Sequence, residues 1–391
     1  MGAVPAFCGA QFMADASLLN MVNVECLRFD ALNDQVRAEL VQLRDGQDIY
    51  DNPFFDLDFA ELVASVRSDT RLLIANDDEG LLGVWALHVR PNKWTRPIAA
   101  PFSDWHGPII RAGADLSPED FLAGAGLAGM TATGLQPTQL SGQCGGELSA
   151  CGIAETPNGG DAYRAEMKGL HSKHFKNLRR AERMIARDFE HSELTLDDTS
   201  LEAFEWLMTL KQEQYTKTGK HNVLKPDWVQ VMMETLRTKR YPRLRGRLST
   251  LRLDGKLAAA EFDILSDKVV HGWITAYSQD YAKYSPGHLL MLAVICNLSE
   301  TGHVSCDIGT GDQAYKTYYE SHQRPSERAI IQTPCGMRPL ASTWSFVESN
   351  APARLAGVMT RMRRRSDQIV SAELDLGGRV KGFCSALMRK A

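Results

Sequence analysis

The feature that most constrains this chain lies between Arg247 and Tyr277. Three apolar runs, "RLSTLRL", "LAAAEFDIL" and "KVVHGWITAY", are separated only by Asp254-Gly255 and by a Ser-Asp-Lys turn. Turns that short join neighbouring antiparallel strands. The apolar "SPGHLLMLAVICNLSETG" then reads as a helix and "HVSCDIG" as a strand, so the chain crosses over before it re-enters the sheet. Hairpins plus a crossover helix predict a mixed α/β sheet.

The same signals organise the rest. "VNVECLRFD" reads as a strand, and the Ala31–Leu43 stretch has helical spacing. In "NPFFDLDFAELVASVRS", Phe55, Phe59, Leu62, Val63 and Val66 share a helical face. "RLLIANDDEGLLGVWALHVR" reads as a hairpin and "PIAAPFSDWHGPII" as a loop between short strands. "AYRAEMK" is expected as a strand, "SKHFKNLRRAERMIAR" as a basic helix, "DQAYKTYYESH" as a helix and "ERAIIQT" as the last strand. With 391 residues, two domains are expected. The expected division is a tail over 1–20, one domain over 21–165, a second over 166–340, and a basic, partly helical tail over 341–391.

Hydrophobic content of 44% and charged content of 24% suit a folded protein, and a net charge of −4 gives no global case for a polyanionic partner. Charge is uneven: ten acidic and three basic side chains precede residue 61, whereas nine basic and three acidic ones follow residue 351. The Cys144–Cys151 spacing fits neither a zinc ribbon nor a redox pair, so reduced structural thiols and no metal are expected. No window carries the roughly 18 apolar residues of a membrane span. The expectation is a cytoplasmic protein, with peripheral membrane association open through the basic tail.

Three places offer chemistry. "YSPGHLLM" joins a strand to a helix, and a helix start with a flanking glycine suits a pyrophosphate. In "AAAEFDIL", Glu261 and Asp263 share one strand face, turned either to solvent or to a cleft where burial would make a carboxylate a usable base. In "CDIGTGDQAYKTYYES", Asp307 ends a short strand, followed by Tyr315, Lys316, Tyr318 and Tyr319.

Taken together, "GKLAAAEFDI", "HGWITAYSQDYAKYSPGHLLM", "CDIGTGDQAYKTYY" and "SKHFKNLRRAER" resemble, in order and spacing, the GNAT-type acyltransferases of the CelD family, relatives of the FemAB-like double-GNAT proteins. The resemblance is clearest from Ala162 to Gln332 and weaker from Phe54 to Ile110. It implies two GNAT-like domains in tandem and acyl transfer from acetyl-CoA or another acyl-CoA to a sugar amine or hydroxyl in exopolysaccharide synthesis. Carried over, Glu261, Asp307, Tyr315, Lys316 and Tyr319 would be catalytic. Ser285, Gly287, His288 and Leu289 would hold the cofactor, and Asp104, Trp105, Asp263 and Trp273 the acceptor.

Two alternatives stand beside that reading. One is a FemAB-like transferase using aminoacyl-tRNA, supported by the basic helix from Lys173 to Arg187 but otherwise disfavoured. The other is a non-catalytic component of a polysaccharide machinery. In the tail, Arg361, Arg363, Arg364 and Arg365 are either a solvated or membrane-grazing face or a regulatory anion site. Cyclic di-GMP is the leading candidate ligand there, with "ELDLGG" as a loose partner motif.

Overall fold

The computed structural model describes residues 22–136, 147–311, 313–334 and 353–388. The first half runs β1 (Asn23–Leu27), α1 (Asp34–Asp45), α2 (Leu57–Val66), β2 (Thr70–Asp77), β3 (Gly80–Val89), β4 (Trp94–Pro97), β5 (Ile109–Ile110), α3 (Pro118–Gly124), β6 (Gly129–Leu135) and β7 (Glu147–Glu155). After α4 (Gly160–Leu170) and α5 (Ser172–Asp188), the second half runs β8 (Ser192–Leu196), α6 (Leu201–Lys217), α7 (Asp227–Thr238), β9 (Arg245–Leu253), β10 (Lys256–Leu265), β11 (Val269–Tyr277), α8 (Pro286–Cys296), β12 (Ser305–Thr310) and β13 (His322–Gln332). The helices α9 (Ala353–Ala372) and α10 (Leu376–Met388) close the chain.

All strands join one sheet, ordered β1-β2-β3-β4-β6-β13-β7-β12-β11-β10-β9-β8, with β5 on β3. Asp254 and Gly255 both take positive φ, as a two-residue hairpin requires, and fix the β9–β10 register. Each half repeats one device: an antiparallel ladder, a crossover helix, then a parallel partner. In the first half β4 pairs parallel with β6 across α3; in the second β11 pairs parallel with β12 across α8. The expected boundary near 165 does not interrupt the sheet. β13 pairs on one side with β6 and on the other with β7, both from the first half.

Two elements differ from expectation. "AYRAEMK" lies within α4, where Tyr163 and Met167 bury at i, i+4 spacing. "DQAYKTYYESH" condenses to a single 3-10 turn, Lys316–Tyr318, followed by strand. The N-terminal tail and Cys144 fall outside the described residues.

The terminal tail is docked, not free. Asp69 holds Arg67 at 2.9 Å and Arg90 at 3.0 Å. Arg67 then donates to Ser371 O and Arg90 to Val370 O, while Trp228 Nε1 donates to Ala372 O at 2.9 Å. These are carbonyls of the last turn of α9, which lack intrahelical donors and carry the negative dipole end. Both halves therefore cap one helix.

Candidate functional site

The parallel β11–β12 register runs only through Val269–Ser305, Val270–Cys306 and His271–Asp307, although β11 continues to Tyr277. A bulge in β11 between Gly272 and Ile274 turns His271 to the face packed by α2, α6 and α7. Asp307 lies opposite His271 and shares that face. Around this pair the chain gathers groups from three distant segments.

His271 is fully buried, with Nε2 3.3 Å from Asp104 Oδ2 and Nδ1 3.5 Å from Asp307 Oδ2. Trp105 Nε1 and, at 3.1 Å, Asn52 Nδ2 donate to Asp307 Oδ2, and Gly309 N donates to Oδ1 at 2.8 Å. Asp104 accepts from Thr310 N at 3.2 Å and Thr310 Oγ1 at 3.0 Å. Gly309 is required here. Its φ is +78°, and a Cβ would stand 2.8 Å from Asp104 Oδ2. Lys316 Nζ donates to Gly309 O at 3.0 Å and Thr310 O at 2.7 Å, so it clamps this loop.

Burial alone would lower the His271 pKa, but the Asp307 and Asp104 carboxylates outweigh it and raise it to about 9. His271 is thus an imidazolium at neutral pH. Burial acts to raise the Asp104 pKa, yet the hydrogen bond and charge of His271, then Thr310 and Lys316, leave it lowered. The Asp104 side chain remains 30% exposed, against 0% for His271 and 1% for Asp307. Asp104 is the member of this triad that a ligand can reach. Trp273 is half-buried nearby, its Nε1 donating to Phe102 O at 2.9 Å. Burial and then the Asp104 charge raise the pKa of the Tyr215 phenol.

The opposite sheet face holds a different set. Glu261 and Asp263 are buried there, and Asp263 pairs with buried Arg247 at 2.9 Å. A Cβ on Gly272 would meet Glu261 Oε1 at 3.1 Å, so the two strands approach closely at that point. Burial first and the Asp263 charge second raise the Glu261 pKa well above the ordinary carboxyl value, so it is held protonated. Asp263, expected to hold the acceptor, lies across the sheet from Asp104 in that ion pair. Trp105 is fully buried and positions Asp307 instead of lining a cleft.

Tyr319 is buried with its hydroxyl 2.9 Å from both His174 Nε2 and His288 Nδ1. Burial and the neighbouring imidazoles lower His174 to about 4, burial lowers His288, and burial raises Tyr319. The cluster is neutral and the phenol keeps its proton. Tyr315, 37% exposed, stands edge-on to His288 at 5.7 Å. His288 opens α8 after Ser285, whose φ of +50° aims the chain into the helix. The N–H groups of His288 and Leu289 both turn to Ser285 O at 3.1 Å. Gly287 lies against Tyr277.

Sequence reasoning missed His271 and Asn52. The Asn52-Pro53 pair was the available signal for Asn52. Its Oδ1 accepts from Phe54 N at 3.1 Å, which leaves the amide N–H free to reach Asp307. In the tail, Arg361 and Arg364 are exposed on α9 and Arg363 and Arg365 half-buried, while Asp375 of "ELDLGG" accepts from Gly378 N at the start of α10. Among the described residues no helix is long and apolar enough to cross a membrane, and no group of three or more His, Cys, Asp or Glu could hold a metal ion.

Residues 172–317 match the family model described as an acetyltransferase (GNAT) domain. No curated protein matches the chain by sequence. Among solved structures, the chain is similar to FemX (11% identity, TM-score 0.48, covering 78% of this chain and 95% of that one). A tandem GNAT protein from the clavulanic acid biosynthesis pathway aligns at 10% identity and TM-score 0.46, over 81% and 100%. The C-terminal domain of a candidate lysylphosphatidylglycerol synthetase from Agrobacterium fabrum aligns at 14% and 0.46, over 80% and 96%.

Proposed function

We propose that the protein transfers an acyl group from an acyl-CoA to a primary amine, with an amino sugar of an exopolysaccharide precursor as the first acceptor to test. The observation that carries this reading is the end of β11–β12 pairing at His271 and Asp307. It leaves an ionised, partly exposed carboxylate on one face and a protonated phenol on the other.

The residues at the start of α8 fit the expected donor. The helix dipole favours phosphate, and Lys173 and Lys176 are exposed on α5, whose His174 touches both His288 and Tyr318. Bound there by Ser285, Gly287, His288 and Leu289, an acyl-CoA would supply an activated thioester carbonyl. On the α6–α7 face, Asp104 accepts a hydrogen bond from the acceptor nitrogen and takes its proton as the carbon–nitrogen bond forms. Tyr319, with Tyr315 beside it, holds the proton needed by the departing sulfur.

The protonation states favour nitrogen over oxygen. A hydroxyl nucleophile needs a strong base, yet Glu261 and His271 both already carry protons. An amine becomes cationic as it attacks, and a low-pKa carboxylate stabilises that charge without first abstracting a proton. Thiol release from acetyl-CoA with a panel of amines and their hydroxyl analogues tests this. Turnover with glucosamine but not glucose supports it; equal rates with both would refute it.

A second donor, aminoacyl-tRNA, is favoured by one feature. Lys176, Arg179 and Arg183 line a shallow groove on α5 and make no ion pair among the described residues. Acyl transfer from aminoacyl-tRNA and none from acetyl-CoA would select it.

A further inference from the structure

The helical hairpin α9–α10 exposes an apolar stripe that no element among the described residues covers. Leu376, Val380 and Phe383 fall at i, i+4 and i+7 of α10 and are 76%, 60% and 36% exposed, with Leu374 just before them at 40%. The opposite side of α10 is the packed one: Gly382 is buried against Ile369 of α9 and His221. The helix thus lies flat on the body with its apolar side outward.

The charge around the stripe specifies what covers it. Nine basic and three acidic residues follow residue 351. Two of the acids are engaged inward, Asp367 with Arg96 and Glu373 with His221 at 3.2 Å, while Asp375 is exposed and accepts from Gly378 N at 2.8 Å. Lys381 on α10 and Arg361 and Arg364 on α9 are exposed, and Arg389 and Lys390 follow α10 in the sequence. Among the described residues, the exposed charge of the hairpin is therefore mainly positive, with Arg361, Arg364 and Lys381 against Asp375. A short helix with an exposed apolar stripe and lysine and arginine beside it matches an interfacial helix on an anionic bilayer. A second copy of the same surface would bring like charges together.

We propose that α10 docks this protein on an anionic lipid surface through Leu376, Val380 and Phe383, with Lys381 and the α9 arginines meeting the headgroups. The anchoring of α9 by Arg67, Arg90 and Trp228 makes the orientation definite. Ala372 and Trp228 belong to the same core as Phe102 and Ile274, so the docked side is the face that carries Asp104 and His271. The docking does not depend on which acyl transfer the protein catalyses.

Co-sedimentation of the full chain with phosphatidylcholine vesicles, with and without phosphatidylglycerol, tests the proposal. The wild type should pellet with the phosphatidylglycerol vesicles only, and less as salt is raised. The Leu376→Asp/Val380→Asp variant should lose roughly tenfold or more of its partitioning, with an unchanged circular dichroism spectrum. Lys381→Glu, a single exposed change, should weaken it by a smaller factor. The proposal is overturned if the wild type ignores phosphatidylglycerol vesicles or if both variants bind as the wild type does. It is equally overturned if light scattering shows a wild-type dimer that Leu376→Asp/Val380→Asp dissociates, since a second copy would then cover the stripe.

Discussion

The two faces of the sheet at the β11–β12 splay both carry titratable groups withdrawn from water, yet hold them in different charge states. On one, Asp104 and His271 are held as ions beside Asp307; on the other, Glu261, His174 and His288 are held neutral beside Tyr319. Burial penalises charge on both. The difference lies in partners. His271 meets two carboxylates, whereas His174 meets a phenol and another imidazole, and Glu261 meets a like charge. Neighbour chemistry, not depth, sets protonation here, and in the proposed reaction it would match one face to a developing ammonium and the other to a proton donor.

The contrast can be broken most severely at Asp104. Asp104→Asn keeps the Thr310 contacts available but removes the charge that a nucleophile meets, so turnover should fall by about 10²–10⁴-fold, and because His271 then keeps only the Asp307 carboxylate, some folding stability should go with it. Steady-state thiol release alongside thermal unfolding checks both. At Asp307 the loss should fall on the fold instead. Asp307→Ala leaves the buried imidazolium with one carboxylate and strands the Trp105 and Asn52 donors, and denaturant unfolding should show a cost of about 3–5 kcal/mol.

The pH response should differ in sign between the faces. His271 has a folded pKa of about 9, above its unfolded 6.5, so its stabilisation is complete below 6.5 and is lost as pH rises through 9. The amount at stake is on the order of 3 kcal/mol. His174, lowered to about 4, behaves oppositely: its contribution is present above 6.5 and is lost as pH falls through 4. His271→Gln should flatten the alkaline limb of a melting-temperature profile and leave the acid limb in place. Tyr319→Phe is the mildest change. It removes one shared hydroxyl, costs roughly 1 kcal/mol, and slows thioester turnover without altering the alkaline limb.

Much of this was legible in the sequence. The β9–β10–β11 meander, α5, α8 and β12 follow from period and turn chemistry, and the expected strand end at Asp307 marked it for attention, although β12 runs on to Thr310 and only its pairing with β11 ends there. His271 was invisible because its neighbours come from residues 52, 104 and 307, and a one-residue bulge, not the alternation, decides which face it joins. The same bulge separates it from Glu261 and Asp263. α4 was misread because its seven quoted residues are too few to distinguish a helix period from a strand. The role of the tail was hidden for another reason: Arg67, Arg90 and Trp228, which cap α9, are far away in sequence.

The central claim, that the splay divides an ionised acceptor face from a neutral donor face, is tested most directly by one titration. Nitrogen-15 spectra of histidine-labelled protein, with His271 and His174 assigned from His271→Gln and His174→Gln, give both midpoints in one sample. The account predicts His271 titrating near 9 with both ring nitrogens protonated at neutral pH, and His174 near 4. A His271 midpoint at or below 6.5 would contradict it.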